Sequence, residues 1–232
     1  MTELVYEIGA GELLVAVTEN DHYPPAVSKL PKVGDQTIDK EKLLTLRPDL
    51  VILDTEFNRN QSQLENLGLE VLPLRSQRLS DIAQNMRLLG DKLDRESSAE
   101  TAAQKFENAV KAVEKVKNPP TVFVEIWGSP LMTVGRDSLP NDLLELQGLK
   151  NIYSDQVGYF QVDPEDVVRR RPEVIILPSS GPKEKSAAEK LLKRAGVSVR
   201  VIVLDGDQFT TPTPRVLQGL KMLRQELAQS GR

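Results

Sequence analysis

The chain has 232 residues and a formal net charge of −4. Its residues are 39% apolar and 28% charged, fractions that are typical of globular proteins. It has no cysteine and one histidine, His22, which excludes disulfide scaffolds, thiolate metal sites, cysteine nucleophiles, lipid-anchor cysteines and multi-histidine metal centres. The acidic balance argues against sequence-independent nucleic-acid binding, and no apolar run reaches the ~18 residues of a membrane span.

The first third of the chain alternates between predicted helices and strands. In chain order the sequence predicts a helix over 2–9, a strand over 13–18, a short helix after Asp39, a strand over 50–53, a helix over 58–67 and a strand over 69–74. Asp39 is an N-cap residue, and Gly68 is a typical helix end. Arg47 is expected to end the short helix, because a residue before proline is disfavoured in the α conformation.

The middle of the chain is predicted to be helical. A helix over 80–93 is followed by 97–117, which contain no glycine or proline and are stopped by Asn118-Pro119-Pro120. A helix of that length spans about 30 Å, which suits a rigid helix that joins two lobes.

The second half repeats the helix–strand alternation of the first. In chain order the sequence predicts a strand over 121–127, a helix over 141–148, a weak strand around 151–153, a short helix after Asp163, a strand over 174–177, a helix over 183–195 and a strand over 197–204. The arginine run 169–171 is interpreted as favourable positive charge at a helix C-terminus.

Residues 39–53 and 163–177 are two copies of one segment. The identical pairs are Asp39/Asp163, Glu41/Glu165, Arg47/Arg171, Pro48/Pro172, Ile52/Ile176 and Leu53/Leu177. Each copy continues into a second helix and strand, which predicts a right-handed βαβ unit in a parallel sheet. A strand precedes the second copy's unit, whereas the chain starts at Met1 before the first, so lobe 1 is expected to lack its first strand.

The predicted fold is therefore α/β, with two Rossmann-like lobes that each contain a parallel sheet. The expected organisation is an N-terminal lobe over 1–96, a long spine helix over 97–118 and a C-terminal lobe over 119–232. No basic or apolar leader precedes the first helix, so no signal peptide is predicted.

The order of these motifs resembles the helical-spine (class III) periplasmic substrate-binding proteins of bacterial ABC importers, and within them the receptors for cobalamin and ferric siderophores. The resemblance covers nearly the whole chain, through the motifs at 2–25, 30–53, 130–152, 160–177 and 211–227. It implies a periplasmic or cell-surface protein that holds a bulky metal chelate in an interlobe cleft. Cobalamin is the first choice, and a ferric siderophore or haem comes next. The alternative is a shortened, non-transporting paralogue that acts as an interaction module.

The resemblance also implies that one glutamate on each lobe docks on the ABC permease. By motif these are Glu41 and Glu165, and two carboxylates at equivalent points suit a two-fold partner with basic pockets. The alternative is structural, since an acid in the first helical turn stabilises the helix dipole by about 0.3–1 kcal/mol.

Aromatic residues near strand ends are the main ligand-binding candidates. Trp127, the only tryptophan, follows the strongest strand, and Tyr159 and Phe160 lie in a predicted loop before Asp163. Core or loop packing is the alternative for all three. Phe209 is a further candidate. The resemblance places Tyr159 and Asp35 where cobalamin receptors have tryptophans.

Polar candidates complete the predicted site. His22 and Tyr23 precede two prolines in a rigid loop, where His22 either meets a metal chelate or is simply exposed. Arg136 either meets an acidic ligand group or pairs with Asp137 or another surface acid. Any catalytic triad would have to use His22, and neither a phosphate loop nor a nucleophile elbow is present. The sequence therefore predicts a non-enzyme with no catalytic residue, no metal site and no cofactor of its own.

Overall fold

A computed structural model describes most of the chain as two compact units. The described residues are 1–35, 37–55, 60–179 and 186–229. Unit 1 comprises Met1–Ser76 and Ser80–Glu107, and unit 2 comprises Gln77–Leu79 and Asn108–Arg232.

The N-terminal elements include a small parallel sheet of two strands. They are α1 (Thr2–Glu7), α2 (Lys40–Leu46), β1 (Val51–Asp54), α3 (Gln61–Glu65), β2 (Val71–Leu74), α4 (Leu79–Lys92) and α5 (Glu96–Lys111), with 3₁₀ turns at Gly11–Leu13 and Pro25–Lys29. β1 and β2 pair in parallel, with Ile52 beside Leu72. Leu43, Leu53 and Leu64 are buried together beneath them.

Helices α4 and α5 pack closely within unit 1. Gly90 permits this approach, because a Cβ there would lie 2.3 Å from the Cβ of Ala99. Arg87 on α4 also donates to Glu100 and Glu107 on α5, each at 2.6 Å. The pair of helices is therefore joined by both apolar contact and charge.

The predicted strand over 13–18 is wrong. Gly11–Leu13 form a 3₁₀ turn, and Val17 makes only an isolated parallel bridge to Lys32. The partner segment includes Pro31, which has no N–H to donate, so it cannot sustain a ladder. Leu13 and Val15 are 46% and 49% exposed, whereas Val17, which would share their face in a strand, is buried, so the segment also lacks the burial pattern of a strand.

The described part of unit 2 contains two sheets. Its elements after α5 are β3 (Thr121–Val124), β4 (Trp127–Gly128), β5 (Leu131–Val134), α6 (Leu139–Leu146), β6 (Lys150–Asn151), β7 (Tyr159–Gln161), α7 (Pro164–Arg170), β8 (Val174–Ser179), α8 (Ala187–Arg194), β9 (Arg200–Asp205), a 3₁₀ turn at Gly206–Gln208 and α9 (Val216–Ala228). A parallel sheet has the strand order β6-β3-β8-β9, and an antiparallel sheet has the order β4-β5-β7.

The predicted strand over 121–127 divides into two strands. β3 ends at Val124, and Trp127 joins β4 in the antiparallel sheet. The buried Thr133 hydroxyl donates to the Val124 carbonyl at 2.7 Å, which links β5 to the end of β3. Trp127 therefore belongs to the small antiparallel sheet rather than to the end of a long parallel strand.

The long central helix is shorter than predicted. It begins at Glu96 and ends at Lys111, not at Lys117. Further along, the N–H of Val116 donates to the Gln147 carbonyl at 2.8 Å, a contact within unit 2 that replaces a helical bond. The boundary between the units lies inside α5, after Glu107. No helix in the described part of the chain is both long and apolar enough to cross a bilayer.

The internal repeat is confirmed as a structural repeat. The α2-β1-α3-β2 and α7-β8-α8-β9 segments each contain a short helix followed by two strands that pair in parallel. Arg47 and Arg171 end the short helices in the left-handed conformation, each at φ 47°. Gly68 and Gly196 follow the second helices at φ 80° and 72°. The first residues predicted for those second helices, 58–59 and 183–185, lie outside the described residues.

Candidate functional site

Glu41 and Glu165 occupy equivalent places in the two copies of the repeat. The carboxylate of Asp39 accepts from the N–H of Lys42 at 3.0 Å, and that of Asp163 accepts from the N–H of Glu165 at 2.8 Å. Each cap leaves the following glutamate in the first helical turn, with its side chain exposed. Within the described residues neither carboxylate has a hydrogen bond or ion pair, so both are available to a partner.

The helix that carries Glu165 is held by Arg170. Its guanidinium donates to both carboxylate oxygens of Asp155 at 2.9 Å, to Asp166 at 3.0 Å and to the Ile152 carbonyl at 2.5 Å. It also lies 4.4 Å from the centre of the Tyr153 ring. These contacts fix α7 on the segment 152–155, and Glu165 with it.

The electrostatics of this cluster agree with its geometry. The Arg170 hydrogen bonds hold the pKa of the Asp155 carboxyl below its usual value. Burial alone would raise the pKa of Asp166, but the neighbouring Tyr153 hydroxyl and the hydrogen bond from Arg170 outweigh it and lower that pKa. Both carboxylates are therefore ionised when α7 is in place.

Trp127 and Tyr159 lie on one face of the antiparallel sheet. Trp127 pairs with Met132 on β5, and Tyr159 pairs with Val134 on the same strand. Residues two apart on a strand share a face, so both aromatic rings belong to the same side. They are 60% and 42% exposed, and the Trp127 indole N–H donates to the Ser129 carbonyl at 2.7 Å. The sheet thus presents two exposed aromatic rings.

Gln161 and Met132 lie on this face and were not predicted as site residues. Gln161 on β7 is paired with Met132, which in turn is paired with Trp127. The spacing of Tyr159 and Gln161 is the available sequence signal, since alternate residues of a strand face the same way. Without knowledge that 159–161 form a strand beside β5, that signal could not be read.

The ligand-binding roles predicted for Phe160 and Phe209 need correction. Phe160 is adjacent to Tyr159 on a strand and therefore faces the opposite side. It packs on the core, with its ring centre 5.5 Å from that of Tyr153. Phe209 is 0% exposed after the turn Gly206–Gln208. Packing inside unit 2, rather than contact with a ligand, accounts for both rings.

Arg136 is a charged residue beside the same sheet. It follows β5, forms a parallel bridge with Val157 and is exposed. Its guanidinium donates to the Asp155 carbonyl at 3.0 Å, rather than pairing with Asp137. Gly135 is required beside it, because a Cβ there would lie 2.2 Å from the Gln156 carbonyl oxygen.

His22, Tyr23 and Asp35 lie on neighbouring loops of unit 1. The Glu19 N–H donates to the Gly34 carbonyl at 2.9 Å, which ties the loop before His22 to the one that carries Asp35. The Lys32 ammonium donates to the Asp21 and Thr18 carbonyls at 2.7 and 3.1 Å. His22 and Tyr23 are exposed, and Asp35 is half-buried.

The candidate residues divide between the two units. Unit 1 holds His22, Tyr23, Asp35 and Glu41, and unit 2 holds Trp127, Tyr159, Arg136 and Glu165. In the part of the chain that the structure describes, no three His, Asp or Glu side chains are grouped so as to hold a metal ion. Aromatic rings and single charged groups suit the recognition of a large ligand by shape and stacking.

Comparison with known proteins is informative over the whole chain. The sequence model of a family described as "Periplasmic binding protein" matches residues 1–199. The vitamin B12-binding protein of Pectobacterium atrosepticum is 33% identical, over 98% of this chain and 85% of its own length. An uncharacterised ABC transporter substrate-binding lipoprotein of Bacillus subtilis, YvrC, is 32% identical, over 99% of this chain and 76% of its own.

A solved structure supports the same relationship. The periplasmic vitamin B12-binding protein BtuF of Vibrio cholerae matches with a TM-score of 0.81 and 29% identity, over 99% of this chain and 94% of that one. The match confirms the predicted α/β architecture, including the parallel sheets and the relation to two-lobe binding proteins.

Proposed function

This chain belongs to the periplasmic binding protein family, and we propose that it is the substrate-binding component of an ABC importer for a bulky metal chelate. The observation that carries the proposal is the pair Glu41 and Glu165, two exposed carboxylates at the same position of two equivalent helices, with no side-chain partner among the described residues. A two-fold permease with basic pockets would receive one carboxylate from each repeat.

The chelate would bind to the exposed face of the β4-β5-β7 sheet. Trp127 and Tyr159 offer stacking surfaces there, and Arg136 offers a positive charge to a carboxylate or phosphate group. His22, Tyr23 and Asp35 are the corresponding candidates on unit 1. Cobalamin is the first candidate because the relatives include vitamin B12-binding proteins. Haem and ferric siderophores are the next candidates, since they are also bulky metal chelates. Nothing in the comparisons favours a non-transporting paralogue.

Calorimetric titration with cyanocobalamin, haemin and ferrichrome tests the ligand class. We expect one of them to bind, and Trp127→Ala and Tyr159→Ala each to weaken it by about tenfold, the value of one desolvated aromatic anchor. Met222→Ala is the matched control, since Met222 is a 40% exposed apolar side chain on α9. Absence of binding by all three chelates to the folded protein would overturn this ligand class.

Uptake of the bound chelate tests the docking role in a deletion strain of the source organism. Glu41→Gln and Glu165→Gln should each reduce uptake while leaving chelate affinity unchanged. Glu189→Gln is the control, because Glu189 is also an exposed acid in the first turn of a helix. If the two glutamates only stabilise helix dipoles, all three variants will take up the chelate equally well.

A further inference from the structure

A small groove on unit 2 adjoins the helix that carries Glu165. It has a volume of about 250 Å³ and lies between the β4–β5 turn, the start of α7 and one side of α8. Its apolar lining includes Leu131, Pro164 and Leu191. Small-molecule sites usually measure about 300–1,000 Å³, so this groove suits one or two side chains rather than a bulky chelate.

The groove lies on the other side of the antiparallel sheet from the candidate ligand face. Gly128 and Leu131, which line it, are paired with each other, and each is adjacent to a residue of the Trp127–Met132 pair. Adjacent strand residues point to opposite sides. The groove is therefore separate from the aromatic face, and Pro164 connects it to Glu165.

The rim of the groove carries positive charge. Lys190 and Arg194 line it from α8 and are exposed, and within the described residues neither has an ion pair or hydrogen bond. They are four residues apart on one helix, a spacing at which like charges repel. A carboxylate placed between them would relieve this repulsion.

The wall that carries these charges is held firmly in place. The carboxylate of Glu125, only 2% exposed, accepts from the N–H groups of Ala187 and Ala188 at 2.7 and 3.1 Å and from the Ser186 hydroxyl. These bonds fix the first turn of α8 to the end of β3. A preformed groove binds a partner without the cost of ordering its own wall.

From these observations we infer that the groove is a second docking element beside Glu165. Its occupant is a segment of the ABC permease in which an apolar side chain is next to an aspartate or glutamate. The apolar side chain fills the space over Leu131, Pro164 and Leu191, and the acid pairs with Lys190 and Arg194. This inference rests on the proposed function, because it names the same partner. At Glu165 this chain supplies the acid, whereas at the groove the permease supplies it.

Photo-crosslinking in cells that take up the chelate tests the occupant. A benzoylphenylalanine probe at Lys42, beside Glu41, identifies the docked permease. A probe at Lys190 should capture the same permease, through a peptide in which an apolar residue adjoins an acid, whereas a probe at Lys193 should not. Lys193 is on the same helix and exposed but does not line the groove.

The outcomes separate the inference from the proposed function. Suppose that the Lys42 probe captures the permease. The groove inference is then overturned if the Lys190 probe captures nothing, if it captures a second copy of this chain, or if it captures a peptide without an acid. If the Lys42 probe captures no membrane protein, permease docking itself fails and the inference fails with it.

Charge reversal gives a quantitative test with the permease in lipid nanodiscs. The double variant Lys190→Glu, Arg194→Glu should weaken binding to the permease by about tenfold at low salt, and by less at about 0.5 M salt. Lys193→Glu should change affinity by less than about twofold, as expected for a charge outside the contact. Equal effects from the double variant and Lys193→Glu would contradict the inference, even where Glu165→Gln still impairs docking.

Discussion

The two copies of the repeat share a backbone but are held in place by different forces. Asp39 and Asp163 cap the short helices, and each helix ends at a left-handed arginine. Arg170 joins α7 to Asp155, whereas the equivalent residue in α2 is Leu46, which packs against the apolar cluster of unit 1. One fold thus accommodates a charged attachment in one copy and an apolar attachment in the other.

The strands of the two copies also differ in their surroundings. β8 is an inner strand of a four-stranded sheet, flanked by β3 and β9, whereas among the described residues β1 pairs with β2 alone. Ile176 is 0% exposed, but Ile52, at the identical place in the repeat, is only partly buried. The same residue therefore contributes different amounts of buried area.

Truncation of the matched isoleucines should give the largest difference between the copies. Ile176→Ala should lower the free energy of unfolding by about 3–4 kcal/mol, because it opens a cavity in the core against the face of β8. Ile52→Ala should cost only about 1 kcal/mol, since its side chain already contacts solvent. Urea unfolding followed by circular dichroism measures both. Equal costs would mean that the two sheets protect their strands equally.

Removal of the Arg170 attachment should give the next largest effect. Arg170→Ala should destabilise unit 2 by about 1–2 kcal/mol, because it removes charged hydrogen bonds and a cation–π contact. Trp127, the only tryptophan, reports on this unit by its fluorescence. Arg169→Ala is the control: with its side chain 79% exposed, it should change stability by less than about 0.5 kcal/mol. If both variants behave alike, the Arg170 network contributes nothing measurable.

The two copies should also differ in their response to acid. The pKa of Asp155 lies below the ordinary value of 3.8 in the folded protein, so the unfolded chain binds the proton more readily. The stability from the Arg170–Asp155 pair is therefore present above about pH 4 and is lost as the pH falls through the lowered pKa. We expect unit 2 to lose stability as the pH falls below about 4, and Arg170→Ala to reduce that dependence. Leu46→Ala, in the copy with the apolar attachment, should leave the dependence unchanged.

Local signals explain why the repeat could be predicted from the sequence. The caps at Asp39 and Asp163, the Arg-Pro ends and the apolar strands depend on residues a few positions apart. The partner of Arg170 is 15 residues upstream, at Asp155, and no spacing rule connects the two. The early end of α5 has the same cause, because Val116 bonds to Gln147 across the fold.

The sequence singles out Trp127 and Tyr159 as candidates, but it does not reveal how their side chains are oriented. Trp127 and Tyr159 share a face only because β4 and β7 both pair with β5, a pairing that the sequence does not reveal. Strand alternation separates Tyr159 from Phe160 once 159–161 are known to form a strand. The burial of Phe209 depends on the packing of distant elements, and its sequence neighbours carry no sign of it.

The smallest expected effect concerns what the two copies share. Arg47 and Arg171 are exposed and adopt φ 47°, a conformation that costs an L-residue about 1–2 kcal/mol. Glycine removes that cost but adds about 0.5–1 kcal/mol of unfolded-state entropy, so Arg47→Gly and Arg171→Gly should each stabilise the protein by about 0.5 kcal/mol. Arg47→Ala and Arg171→Ala retain a Cβ and should not stabilise it. Because the backbone geometry is common to both copies, the two glycine variants should agree in urea unfolding, even though the helices that they end are attached by different forces.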